Sequence, residues 1–343
     1  MSPSAAATPG PTGGGAPVIR TVLGDLAPER LGVCNAHDHL FLSSPQLPGQ
    51  ELADADAAAA ELRAFRDAGG AAVVQWTPYG MGRHAAELPR LARESGVTIV
   101  AATGLHQEAH YAPEVLANLP TDLAALFVAE LTEGIGSVRP GGGTHDDAAG
   151  ADEDRPEPRP RAGLIKVAGG FHGLDRHARR TMTAAAEAHR ATGAAIGVHL
   201  ELGTGALDVL DLLCGELAVP ADRVILGHLN RSPDLTVHRL AAESGAYLAF
   251  DGPSRAHHAT DWRLPDAVAA LCDAGFADRI LLGGDTTTAA ARAVNGGPGM
   301  PNLLRSFSRR LRLAVGEPLV RRMVVANPLS AFGLRPAASH VVG

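Results

Sequence analysis

The chain has 343 residues, 45% of them hydrophobic and 20% charged, enough length and apolar content for a sizeable core. A net charge of −7 argues against a nucleic-acid or other polyanionic partner. No apolar run approaches the ~18 residues that span a membrane, and Cys34, Cys214 and Cys272 stand far apart, the usage of reduced, buried thiols in a cytoplasmic protein.

Residues 1–17 lack the basic start and apolar stretch of a secretory signal and read as a disordered tail. Residues 18–26 suggest a hairpin arm that closes the bottom or side of a barrel. Strands are then predicted at 33–40, 71–78 and 98–106, with helices after them at 53–68, 85–94 and 119–135. The composition breaks at 136–161, which is rich in proline, glycine and acid and reads as an exposed, mobile insertion. It is no domain linker, because the same alternation resumes beyond it. Strands follow at 163–168, 195–200, 223–228, 246–251 and 279–285, with helices at 175–192, 206–217, 235–243, 265–274 and 303–315. A short helix at 319–325 closes the series. The strands are rich in Val, Ile, Leu and Ala, as strands covered on both faces are. The pattern predicts one (β/α)8 domain, a TIM barrel, over 18–333, with 334–343 as a tail; an open doubly wound sheet is the alternative.

In such a barrel the chemistry stands at the C-terminal ends of the strands. The first strand ends in His37-Asp38-His39, and strand alternation sends both imidazoles to one face. Lys166 ends the fourth strand, His199 the fifth, His228 the sixth and Asp285 the eighth. A single histidine at a strand end is ordinarily structural. The joint convergence on one mouth points instead to metal, with nitrogen and oxygen donors that suit zinc, or cobalt, manganese or iron.

Among 30 Lys and Arg residues, Lys166 is the only lysine. Arginine stays charged in proteins, whereas a buried lysine can lose its proton and react. A neutral amine at this position can take up carbon dioxide as a carbamate, an anion whose two oxygens bridge a pair of metals.

The runs GVCNAHDHL, GLIKVAGG, GVHLELGTG, VILGHLNRSPDL, LLGGDTTT and NPLSAFG resemble the phosphotriesterase family of the amidohydrolase superfamily, over roughly residues 18–333. The resemblance implies that His37, His39 and Asp285 hold one divalent metal, most simply zinc, and that His199 and His228 hold the other. N6-carboxylated Lys166 and a hydroxide would bridge the two. It also implies a homodimer. Organophosphate-hydrolysing members carry an aspartate three residues after the sixth-strand histidine and a histidine after the seventh-strand aspartate. Here those positions hold Arg231 and Gly252, which moves the expectation toward a lactone or related carboxylic ester. A phosphotriester hydrolase and a metal-containing binding protein of low turnover stay open as alternatives.

Asp285 is the expected proton acceptor, beside Lys166. Expected to bind a small-molecule substrate are Trp76, Tyr79, His106, Arg231, Asp251, Arg255, His257 and Trp262, with Arg292 beside them, all on or after strand ends. His84, His110, His145, His172, His177, His189, His238 and His340 read as surface residues. No Walker motif and no G-x-S-x-G elbow is present.

Overall fold

The computed structural model describes residues 17–137, 158–251 and 260–334. The predicted terminal tails and most of the predicted insertion lie outside the described residues. So do His145, Gly252, Arg255, His257 and His340.

Strands β1 (Val18–Thr21) and β2 (Gly24–Leu26) form the expected hairpin. The barrel follows as β3 (Cys34–Asp38), β4 (Ala72–Gln75), β5 (Thr98–Gly104), β6 (Ala162–Gly169), β7 (Ala195–Leu200), β8 (Val224–Leu226), β9 (Tyr247–Asp251) and β10 (Ile280–Gly283). These eight are parallel and ordered as in the chain. A last strand, β11 (Gly333–Leu334), pairs with β1, so the two ends of the domain share one small sheet. The chain is therefore a (β/α)8 barrel, not an open doubly wound sheet.

Helices α1 (Ala55–Asp67), α2 (Leu88–Ser95), α3 (Pro113–Ala117), α4 (Leu123–Thr132), α5 (Arg176–Thr192) and α6 (Ala206–Leu210) cover the barrel together with α7 (Leu235–Glu243), α8 (Leu264–Asp273) and α9 (Ser308–Val315). Aspartates 54, 122, 175 and 234 cap α1, α4, α5 and α7, each accepting backbone N–H groups of the first turn that have no partner within the helix. Three predicted helices are not continuous, the closing one widening into a π-turn over Arg322–Ala326. The stretch after α6 widens into a π-turn over Asp211–Glu216, and another over Leu303–Phe307 precedes α9. Apolar spacing does not distinguish a wide turn from a regular one. Among the described residues, no helix is long and apolar enough to cross a membrane. All three cysteines are free; Cys34 is buried as expected, but Cys214 and Cys272 are only partly so.

The seam between β10 and β3 is closed by side chains as much as by backbone. The N–H groups of Gly284 and Asp285 donate to the His37 carbonyl at 2.9 and 3.0 Å. Asn35 Oδ1 accepts from Gly284 N at 3.0 Å, and Asp38 Oδ1 accepts from Thr286 N at 2.9 Å. Asp38 is fully buried, and burial pushes its carboxyl up to about 7. Its place between the two histidines thus serves closure of the barrel.

Simple alternation does not aim those histidines. Cys34 and Ala36 pack inside the barrel with Ala72, Val74 and Trp76. Strict alternation from them would send residue 38 inward and 37 and 39 outward. A register shift between Asn35 and Asp38 inserts one residue relative to β4, and this bulge turns His37 and His39 to the mouth.

Outside the sheet, Arg83 carries a buried ion pair to Glu130 on α4, with Nη1 2.8 Å from Oε2. Thr103 on β5 donates to the same oxygen at 2.6 Å, and Arg83 also donates to the Ala102 carbonyl at 3.0 Å. Arg83→Met leaves Glu130 charged and uncompensated, so urea unfolding should show a loss of about 3–5 kcal/mol. Adding Glu130→Leu should recover much of it.

Candidate active site

All six residues expected as ligands line one cavity of about 200 Å³ at the C-terminal mouth, together with His106, His110, Glu201 and Arg231. Among the described residues, two sets bring donor atoms within 4.8 Å of one another: His37, His39 and Asp285, and His37, His228 and Asp251. The first matches the set implied by the resemblance. The second does not, because it takes Asp251 where His199 was expected. His199 and His228 are nonetheless neighbours, with ring centroids 4.6 Å apart. His228 and Asp285 do not continue their strands as predicted. They leave β8 and β10 with φ of 63° and 50°, left-handed backbone that non-glycine residues adopt uncommonly.

Each imidazole has one ring nitrogen close to a polar partner, although His37 Nδ1 is not aligned with its partner as a hydrogen bond. His37 Nδ1 lies 3.0 Å from Asp251 Oδ1, and His228 Nδ1 lies 2.5 Å from Asp251 Oδ2. His39 Nδ1 faces the Thr77 hydroxyl at 2.8 Å, and that hydroxyl itself donates to the Phe41 carbonyl. His199 Nε2 faces Glu201 Oε2 at 3.1 Å, and Gln107 Nε2 donates to the same oxygen at 3.1 Å. An imidazole that donates through one nitrogen keeps the other bare, the state in which it binds a metal. The nitrogens left over are Nε2 of His37, His39 and His228 and Nδ1 of His199. Two of them, on His37 and His39, lie 3.8 and 3.6 Å from Asp285 Oδ1.

The protonation states agree with a metal-binding donor set. Burial pulls His39 down to about 4 and His199 down to about 3, so both rings are neutral. Burial would raise Asp285 and Asp251, but the facing histidines outweigh it and hold both below the usual carboxylate range. His228 moves the other way: burial lowers it, and Asp251 and Asp285 more than restore it. Lys166 is buried and pulled down to about 7 by that burial, against the opposing charge of Asp285. Neutral His39 and His199, ionised carboxylates and an amine lowered by burial fit divalent cations, and His228, raised by its carboxylate neighbours, would release its proton on binding one.

Residues 17–147 and 148–332 match the model of the Phosphotriesterase family. The chain belongs to the phosphotriesterase family. As a family member it is a hydrolase. It is 33% identical over 258 residues to a phospho-furanose lactonase of Mycoplasmopsis agalactiae, covering 72% of this chain and 70% of that one. Its fold is similar to that of a Listeria monocytogenes lactonase, with a TM-score of 0.79 and 26% identity over 92% of this chain and 98% of the other. It is also similar to the Escherichia coli phosphotriesterase homology protein complexed with phosphate in its active site, with a TM-score of 0.77 and 27% identity over 88% and 99% of the two chains.

Several residues expected to touch substrate are placed elsewhere in this family member. Trp76 is no pocket wall. It is fully buried under the site, stacked on His37 with ring centroids 3.9 Å apart, its Nε1 donating to the Ala36 carbonyl. A Cβ at Gly197 would lie 2.9 Å from the indole, so the ring fills space that only glycine leaves. Tyr79 is buried outside the cavity lining, with the Arg83 guanidinium over its ring. Asp251 lies beneath the histidines with no exposed surface. Trp262 is 65% exposed with the Arg263 guanidinium over its ring, and it does not line the cavity. Arg292 is buried and holds its loop to the carbonyls of Leu40 and Asp54.

His106 and Arg231 do line the cavity. Arg231 reaches Asp261 at 3.2 Å and Asp285 at 3.5 Å. Among the presumed surface histidines, His110 lines the cavity, while His189 and His238 are buried against the carbonyls of Ala194 and Leu229. Glu201 and Gln107 were not foreseen as part of the site. The only trace of Glu201 in the sequence is its place two residues after His199, in phase with it along the strand.

Proposed function

We propose that the protein hydrolyses a lactone that carries an anionic group, a sugar lactone phosphate being the favoured class. The observation that carries this reading is the guanidinium of Arg231 in the same cavity as the metal-type donors, 3.5 Å from Asp285. Similarity to a phospho-furanose lactonase supports it.

In this reading His37, His39 and Asp285 would hold one zinc ion, His199 and His228 would hold a second, and Lys166, carboxylated, would serve as a ligand. Such a pair, when bound, supplies a water whose pKa falls toward ~7 and a Lewis acid for the carbonyl. The protein's own groups do the rest. Arg231 binds the anionic end of the substrate through its planar donors. Asp285 takes the proton of the attacking water as the new carbon–oxygen bond forms, then returns it to the ring oxygen as the ring bond breaks, leaving a hydroxy acid. His106, held neutral by burial, has an Nδ1 with no hydrogen-bond partner among the described residues and can serve the substrate.

The test is a panel of phosphorylated lactones, plain lactones and neutral phosphotriesters with zinc-loaded protein. Phosphorylated lactones should turn over fastest. Arg231→Met should raise their KM by about 10–100-fold, the worth of a hydrogen bond to a charged group, and raise the KM of plain lactones far less, while any fall in kcat through the lost Asp285 contact is shared by both substrate classes. Faster turnover of triesters than of any lactone would reverse the assignment. Lactones bound and recovered intact would indicate a binding protein.

A further inference from the structure

Asp251 ends β9 below the cavity, and its two oxygens face imidazoles that belong to different cations in the arrangement proposed above. Oδ1 is 3.0 Å from His37 Nδ1 and Oδ2 is 2.5 Å from His228 Nδ1. The carboxylate is fixed in place. Asn230 grips its backbone from both sides, donating to the Asp251 carbonyl at 2.8 Å and accepting its N–H at 3.0 Å. Oδ2 also accepts the backbone N–H of His228 at 3.1 Å. Opposite, a Cβ at Gly283 would lie 2.7 Å from His37 Cβ and 2.8 Å from Asp251 Oδ1, so this glycine is what lets ring and carboxylate meet.

We infer that Asp251 is a positioning residue shared by both cation sites, and that its two oxygens do different work. The inference rests on the two-cation reading. A carboxylate only accepts, so it favours a proton on the ring nitrogen that faces it and a bare Nε2 for a cation; at His37 the two atoms are in close contact at 3.0 Å without the alignment of a hydrogen bond. One side chain thereby sets the tautomer of a ligand at each site. The oxygens are not equivalent because only Oδ2 also holds the His228 backbone.

That asymmetry predicts an unequal outcome for Asp251→Asn. The amide oxygen must stay at the Oδ2 position, where the ring and the backbone of His228 both donate. The amide nitrogen then faces His37 Nδ1 as a donor. A donor there favours the proton on Nε2, the atom His37 needs for its cation. The asparagine variant should lose the cation held by His37 and keep the one held by His228. Asp251→Ala frees both rings, and both sites should weaken by about 10–100-fold.

The test uses the full chain loaded with zinc, and with cadmium in protein carrying isotope-labelled imidazoles. Metal content and affinity are measured by mass spectrometry after equilibration with buffered metal, and cadmium–nitrogen couplings identify the ligating atoms. Two ions per wild-type chain, one in Asp251→Asn coupled to His228 Nε2, and weakening at both sites in Asp251→Ala are the expected results. Two ions in Asp251→Asn with wild-type affinity overturn the inference and leave the two-cation reading intact. A wild-type chain that holds no ion overturns that reading, and the inference with it. Should the asparagine variant not fold, the wild type still decides: coupling through Nδ1 of His37 or His228 contradicts the inference, and coupling through Nε2 of both upholds it.

Discussion

Asp285→Asn is expected to lower kcat by about 10²–10⁴-fold while the barrel stays folded. Asparagine keeps the shape of the side chain and tolerates the φ of 50° at this position, so backbone strain is not added. What goes is the anion. Asp285 lies within 3.8 Å of His37, His39, His228 and Arg231, and these groups hold it ionised through the neutral range. The amide can neither take a proton from water nor match two cations as well. Steady-state kinetics on the best lactone, with metal content and circular dichroism measured on the same sample, checks the result. Undiminished kcat with both metals retained would remove Asp285 from the proton path.

Lys166→Met should cost more than about 100-fold in activity, above the range found when a group merely supporting a ligand is lost. Lys166→Arg should cost as much, since a guanidinium keeps the charge but cannot add carbon dioxide. The amine stands on β6 in register with Gly104, where a Cβ would lie 2.0 Å from the Lys166 carbonyl, so the strand is held close to its neighbour. Burial pulls the amine down to about 7. The sign follows: above that pH the group is neutral and open to carbon dioxide, and below it the group is a cation that repels metal. Zinc uptake by metal-free protein at fixed bicarbonate should therefore fall as the pH drops through about 7. Uptake by Lys166→Met should be low at every pH. Wild-type activity in Lys166→Arg would show that no carbamate is needed.

Strand alternation and strand-end chemistry were readable in the sequence because both repeat across the chain. The apolar runs before Lys166, His199 and Asp285 are strands, and the residues that end or follow them line one cavity. What was not readable comes from contacts between distant segments. Trp76 follows a strand and looks like a pocket wall, but Gly197 on β7 and Gly227 just after β8 open a hollow that the indole fills. Asp251 ends its strand as a substrate ligand would, yet His37 and His228 close over it. Arg292 looks like a cation at the mouth until the carbonyls of Leu40 and Asp54 are seen to bind it. The H-x-H motif was assigned to the mouth by plain alternation, but the aim of its rings depends on a bulge set by pairing with β4.

The most direct measurement is anomalous X-ray scattering at the zinc edge from crystals of zinc-loaded protein grown with bicarbonate. The account predicts two peaks in the cavity, one among His37, His39 and Asp285 and one beside His199 and His228, with density for a carboxylated Lys166 between them. A single peak, or none in that cavity, with Lys166 an unmodified amine, would contradict it.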